Sequence, residues 1–220
     1  MTYDVDMTTE TRSPLTRERI IEAAVGFADE HGVAELSMRK LGAELGVEAM
    51  SLYNHVADKG DILDGMIDQV FLSMPPPEPQ LDWRDALRQA GVGAMNAFTA
   101  HPWVVNLLVS RASTRAAALA YMERILAILT DAGFSDADTH HAWQLLASHT
   151  IGYAIQQATN PAAGDSDANA FETWLSRAGN SHPNITRLAP LIMNCQFGRE
   201  YEFGLEVIID GLASRLSLID

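Results

Sequence analysis

The chain has 220 residues, of which 47% are hydrophobic and 20% charged, an ordinary globular composition for one large domain or two modest ones. Its apolar runs are broken by charge well short of the ~18 residues a membrane helix needs. The net charge of −14 argues on its face against nucleic-acid binding, and the single cysteine, Cys195, excludes an internal disulfide and fits a reducing compartment.

Residues 1–14, MTYDVDMTTETRSP, are polar and acidic with no apolar stretch, and read as a disordered tail rather than a signal peptide. Thr16 is placed to cap a first helix ending at Gly32. Its apolar stripe is Ile20, Ala23, Ala24, Phe27 and Ala28, with Phe27 the expected centre of a small three-helix core. Arg17 and Arg19 lie in its first turn, where they either reach phosphates or belong to a solvated face.

The segment 37–59, SMRKLGAELGVEAMSLYNHVADK, reads as two short helices joined by a tight turn. Ser37 is a good N-cap, Met38, Leu41 and Leu45 recur on one face, and Gly46 can take the left-handed conformation that ends a helix. Val47 plugs the corner. A second helix of about two turns, residues 48–55, buries Leu52 and Val56 and turns Ala49, Met50, Ser51, Tyr53 and Asn54 outward. A short helix that shows small, mixed side chains suits insertion into a major groove.

Asp58 caps a helix over 58–74, with Ile62, Leu63, Met66, Ile67, Val70 and Phe71 on its buried face. MPPPEPQ ends it, because proline lacks the amide donor and clashes with the preceding turn. Further helices are expected between Asp82 and His101, from Trp103 to Ser110, from a cap at Thr114 to Gly133, and from Ser135 to about Ala158. TNPAAGDSDANA has loop composition. A short helix near 171–177, one over about 185–194 containing Pro190, and a last helix over about 198–216 complete an all-α chain.

Two of these segments carry a resemblance to a known family. LGAELGVEAMSLYNHVADKGDIL resembles the helix-turn-helix signature of the TetR repressors, with Leu-Gly-Val at the turn, Leu-Tyr-x-His closing the reading helix and Lys59 opening the next. LTDAGFSDADTHHAWQLLASHTIGYAIQ and FGREYEFGLEVIIDGL resemble the seventh, eighth and last helices of the tetracycline-repressor subgroup. The likeness spans about 15–216 and is weakest between 160 and 184.

The resemblance implies an N-terminal three-helix DNA-binding domain over 15–60 and a C-terminal helical ligand-binding and dimerisation domain over 61–220, connected by the helix 58–74. It implies double-stranded operator DNA, a small-molecule effector and a second copy of the chain as partners, in the cytoplasm and without cofactor or membrane. The expected DNA-binding set is Ser37, Arg39, Lys40, Glu48, Ala49, Met50, Ser51, Tyr53, Asn54, His55 and Lys59. In Lys59 an ammonium meets the positive end of a helix, and the two can converge on one phosphate.

The stripe of the last helix is wider than one partner helix needs. With the eighth helix it gives an expected dimerisation set of Ile151, Ile155, Leu205, Ile208, Ile209 and Leu212; two wholly internal helices are the alternative. Large apolar side chains with scattered polar groups in the middle helices describe an apolar pocket. Its expected lining is Met95, Phe98, Leu107, Leu108, Arg111, Met122, Ile125, His140, Trp143 and Ala147, with Arg111 or His140 as polar anchor. Tetracycline binding in that subgroup uses a histidine where this chain has Met74-Pro75, and a metal-binding histidine of the sixth helix is missing from VVNLLVSR. An aromatic or lipophilic effector is therefore expected instead of a tetracycline–magnesium complex.

His140, His141 and His149 are spaced wrongly for one small ion, and no nucleophile elbow, phosphate loop or dinucleotide fingerprint is present, so neither metal nor catalysis is expected. From Arg12 to Gly60, six basic residues (Arg12, Arg17, Arg19, Arg39, Lys40, Lys59) face eight acidic ones. This acidity is the support for a rival reading, a dimeric helical ligand-binding or adaptor protein that does not read DNA.

Overall fold

The computed structural model describes residues 14–78, 80–110, 116–159, 173, 175–177, 179–193 and 196–217, and every regular element among them is helical. The expected tail up to residue 13, the cap at Thr114, the loop after Thr159, Arg111 and Cys195 lie outside these residues. The chain divides into two units between Met66 and Ile67.

The first unit contains α1 (Arg17–His31), a 3₁₀ turn (Val33–Glu35), α2 (Met38–Leu45), α3 (Ala49–Leu52) and the opening of α4 (Lys59–Ser73). Side-chain oxygens cap three of these helices: Thr16 accepts from the Arg19 amide and Ser37 from the Lys40 amide, both at 3.2 Å, and Asp58 from the Asp61 amide at 2.9 Å. Each such cap stabilises by about 1 kcal/mol. Ile20, Ala24, Leu41, Leu52, Ile62 and Met66 form the core. Phe27 is not its centre. The buried stripe of α1 runs through Ile20, Ile21, Ala24, Val25 and Ala28, which puts Phe27 at the border, half-exposed and edge-on to the His31 ring at 4.7 Å.

The second unit holds the rest of α4, then α5 (Trp83–Ala100), α6 (Trp103–Ser110), α7 (Ala116–Asp131), α8 (Asp136–Thr159), a 3₁₀ turn (Gly179–Ser181), α9 (Pro183–Met193) and α10 (Phe197–Leu216). Asp82 caps α5 by accepting from the Arg84 and Asp85 amides. Ser135 opens α8 by accepting from the Asp138 amide at 3.2 Å and donating to the Asp138 carboxylate at 3.0 Å. α8 is the central element and packs against α5, α6, α7 and α10. Arg88 of α5 forks onto Glu206 of α10, with Nη2 donating to Oε2 at 2.8 Å.

The inner face of α10 corrects the expected dimerisation set. Leu205, Ile209 and Leu212 are buried within the single chain, together with Tyr201. They face α5 and α8: a methyl group added at Gly91 would come within 2.9 Å of Leu205 Cδ2. The outward side of α10 instead shows Phe203, 73% exposed, and Val207, 56% exposed, and α8 shows Leu145. Ile151, Ile155 and Ile208 are half-exposed.

Candidate functional site

The first unit builds a reading surface from two short helices held at an angle. Gly46 ends α2 at φ 65° and ψ 37°, in the left-handed region where a side chain is disfavoured, and its amide reaches back to the Ala43 and Gly42 carbonyls. The Val47 amide donates to the Gly42 carbonyl at 2.8 Å. Gly42 makes the corner possible. A Cβ there would lie 2.9 Å from the Val47 carbonyl oxygen and 3.2 Å from the Ala49 nitrogen, both backbone atoms that cannot yield. The sequence signal for Gly42 was a glycine inside a helical pattern.

α3 is shorter than expected. It closes at Leu52, and the chain turns through Tyr53 and Asn54, with the His55 and Val56 amides both donating to the Leu52 carbonyl. Leu52 and Val56 are buried. The outward residues are Met50, 74% exposed, with Tyr53, Asn54 and His55; Ala49 and Ser51 are half-buried, and Glu48 stands exposed before the helix. Arg39 is exposed in the first turn of α2, beside the Ser37 cap. Lys40 is exposed too but ion-paired to Glu35. Lys59 is the first residue of α4. All eleven residues of the expected DNA-binding set therefore fall on the start of α2, on α3 and its following turn, or on the start of α4.

The second unit holds a half-open cavity of about 240 Å³. Four aromatic rings stand around it, and neighbours touch in a chain: Phe98 to Phe71 at 6.2 Å between centroids, Phe71 to Tyr121 at 5.7 Å, and Tyr121 to Trp143 at 6.5 Å. Such tilted pairs set ring edges against ring faces, which is their favoured arrangement. Leu87, Leu108, Leu119, Met122, Ile125, Leu146, Ala147 and Ile151 complete most of the apolar wall, and no charged side chain lines it among the described residues.

Two hydroxyls supply the polarity. Tyr121 donates to the Ala90 carbonyl at 3.3 Å, a long bond. Thr150 lies on the wall, donates to the Leu146 carbonyl at 2.9 Å, and is 3.0 Å from the Tyr201 hydroxyl behind it. Tyr201 donates to the Gly91 carbonyl at 2.9 Å. Burial pushes both phenols above the usual tyrosine value, Tyr121 the further, so both are neutral donors at physiological pH.

Of the expected lining, Phe98, Leu108, Met122, Ile125, Trp143 and Ala147 face the cavity. Met95 and Leu107 are buried in the interior away from it, and His140 is exposed beside His141. His140 is thus not its polar anchor; the observed polar groups are Thr150 and Tyr121. Sequence reasoning missed the other ten described lining residues, among them Phe71, Gly91, Tyr121 and Thr150, and placed the wall residue Ile151 in the dimerisation set. Phe71 and Gly91 come from helices distant in sequence, but Thr150 was findable, because it follows Trp143 and Ala147 at helical spacing.

A helix-turn-helix with an outward second helix, joined through one continuous helix to an all-helical unit with an apolar cavity, is the layout of a ligand-responsive transcriptional regulator. Residues 75–216 match the family described as Tetracyclin repressor-like, C-terminal domain, and residues 20–66 match Bacterial regulatory proteins, tetR family. The chain belongs to the TetR family of transcriptional regulators. The HTH-type transcriptional repressor DrrR1 of Streptomyces coeruleorubidus is 32% identical over 209 residues, covering 90% of this chain and 77% of the relative. The Tetracycline repressor protein class A from transposon 1721, of Escherichia coli, is 29% identical over 201 residues and covers 89% of each. ActR of Streptomyces coelicolor, solved in complex with actinorhodin, matches with a TM-score of 0.76 at 31% identity over 93% of this chain and 99% of that one.

Proposed function

We propose that this protein is a homodimeric repressor that binds a palindromic operator in the cytoplasm and is released from it by a neutral, largely apolar, aromatic effector. It acts by binding and not by catalysis. The observation that carries this reading is the cavity itself: four aromatic rings and two neutral hydroxyls, with no charged side chain among the described lining residues. An ionised ligand entering such a wall loses hydration without a counter-charge, whereas a planar neutral one exchanges water for ring faces. The crystal structure of ActR with actinorhodin supports a small-molecule site in this fold.

The route from effector to operator runs along α4. Phe71 on the cavity wall and Lys59 at the reading surface belong to the same unbroken helix. An effector that contacts Phe71 therefore touches the same helix whose first residue is Lys59. It shifts the equilibrium by its difference in affinity for the two states and by no more than that.

The test is a gel-shift of the purified chain with duplex from upstream of its own gene, with and without a panel of neutral polycyclic aromatics. The expected result is a retarded complex that dissolves with at least one member of the panel. A folded dimer that retards no duplex at low salt removes the DNA-reading role and leaves the adaptor reading.

A further inference from the structure

Among the basic side chains of the first unit, two are already matched by carboxylates. Arg17 donates to Asp61 Oδ1 at 2.8 Å, and the other oxygen of that carboxylate accepts from the Ala57 amide at 3.1 Å, so Asp61 ties α1 to the turn before α4. The second pair is placed differently. Glu35 ends the 3₁₀ turn after α1, and Lys40 lies in the first turn of α2, so the pair bridges the corner between them. It sits over a shallow hollow lined by Phe27 and His31. Lys40 holds the Glu35 carboxyl below the usual carboxylate range, first through its hydrogen bond and then through its charge, with a smaller pull from His31. Both side chains remain largely in solvent, so the pair contributes little to stability. Stability does not explain it.

The position of Lys40 gives it another consequence. In a helix-turn-helix the first helix crosses the phosphate backbone. Lys40 follows Ser37 and Arg39 at the N-terminal end of that helix, within the proposed DNA-binding set, where a free cation could neutralise a phosphate. A lysine that carries its own carboxylate brings no net charge to the DNA, and so releases no counterion on binding. We propose that Glu35 is a specificity-determining residue: a built-in counter-ion that cancels Lys40 and suppresses sequence-independent binding, so that recognition depends on base contacts. This rests on the DNA-reading function proposed above. It also accounts for an acidic reader: a surface with few uncompensated cations holds random DNA weakly and leaves the exposed Met50, Tyr53 and Arg39 to discriminate.

The consequence is measurable. Freeing one lysine per protomer adds one neutralised phosphate, which steepens the plot of log affinity against log salt by about 0.9 per protomer, or about 1.8 for a dimer. At 0.1 M salt the same exponent corresponds to roughly eightfold tighter random-DNA binding per protomer.

The experiment measures binding of the full chain to a random-sequence duplex and to its operator, across a salt series, for wild type, Glu35→Gln, Lys40→Ala and the double variant. Glu123→Gln on exposed α7 is the charge-matched control. The expected result is a steeper slope and tighter random-DNA binding for Glu35→Gln alone, a smaller gain on operator, and loss of the gain when Lys40 is also replaced. An effect no larger than that of Glu123→Gln overturns the inference. An undiminished effect in the Lys40→Ala background also overturns it, because the pair is then not the cause. If wild type binds neither duplex, the DNA-reading function fails, and the inference fails with it.

Discussion

Two glutamates placed two residues apart on α10 separate folding from assembly. Ile209 has no exposed surface in the single chain, whereas Val207 is 56% exposed. Ile209→Glu forfeits about 2–3 kcal/mol of burial and strands a carboxylate in an apolar interior at a further cost of several kcal/mol. The total is comparable to the whole stability of a typical domain, about 5–15 kcal/mol. Val207→Glu costs the free protomer no more than about 0.5 kcal/mol, as exposed substitutions do. If the outward side of α10 meets its copy across a two-fold axis, each change counts twice. Two lost apolar contacts and two poorly solvated like charges then amount to about 5 kcal/mol, a Kd weakened by roughly a thousandfold or more. Sedimentation velocity at micromolar concentration, paired with thermal unfolding, reads both quantities. Val207→Glu is expected to give a folded monomer that fails to retard operator, and Ile209→Glu to give unfolded or aggregated protein. A dimeric Val207→Glu, or a folded monomeric Ile209→Glu, refutes the placement of the interface on the Phe203 and Val207 side.

Gly204→Ala should destabilise the protein by about 1–3 kcal/mol. Overpacking outweighs the ~1 kcal/mol that alanine gains in helix propensity, because the added methyl would lie 2.3 Å from His149 Cε1, in a ring stacked 4.9 Å from Tyr201 whose Nε2 donates to the Tyr201 carbonyl; a raised urea midpoint at unchanged m-value would contradict this. Ala147→Phe fills the cavity from α8, and is expected to repress normally while ignoring effector; wild-type effector affinity in a titration would move the site elsewhere. Asp138→Asn should destabilise at neutral pH, because the Ser135 hydroxyl and then Arg215 hold the native Asp138 carboxyl below its usual value. A depressed native pKa gives stability that is full above about pH 4 and lost as pH falls through the lowered value. The gap between wild type and variant in chemical denaturation should therefore close in acid, and a gap independent of pH would exclude the pairing as its source.

The reading surface was legible in the sequence because its signals are local. A serine cap, an i, i+3, i+7 stripe and a glycine at the left-handed position each act within a few residues, and together they fix two helices and the angle between them. The cavity was legible only where one helix supplies its wall. Trp143 and Ala147 share a face of α8, and Met122 and Ile125 share one of α7, so spacing alone brought each pair together. Phe71 and Gly91 come from α4 and α5, and nothing in their neighbourhoods says that α7 and α8 stand opposite. His140 was chosen as an anchor for its polarity, but an exposed imidazole finds water more cheaply than a buried cavity. The hydroxyls of Thr150 and Tyr121 fit that cavity because each has a carbonyl to donate to.

The width of the α10 stripe was read as two demands, one within the chain and one on a second copy; the side that turns inward is set by small residues where the helices meet. Gly91 lets Leu205 approach, and Gly204 admits the His149 ring, so the Tyr201, Leu205 and Ile209 side is drawn inward. The same division runs along α8. Trp143, Leu146, Ala147 and Thr150 line the cavity, while Leu145, Ser148 and Gly152, spaced three and four apart, lie on another face where side chains are exposed or small. One helix thus carries a cavity wall and a candidate assembly face about half a turn apart. A second copy on the Leu145 face would restrain α8 without covering Thr150, so assembly and effector binding can be selected separately. The Tyr201 hydroxyl, 3.0 Å from Thr150 and bonded to Gly91, joins the cavity wall to α10, and so is a place where the two would be felt together.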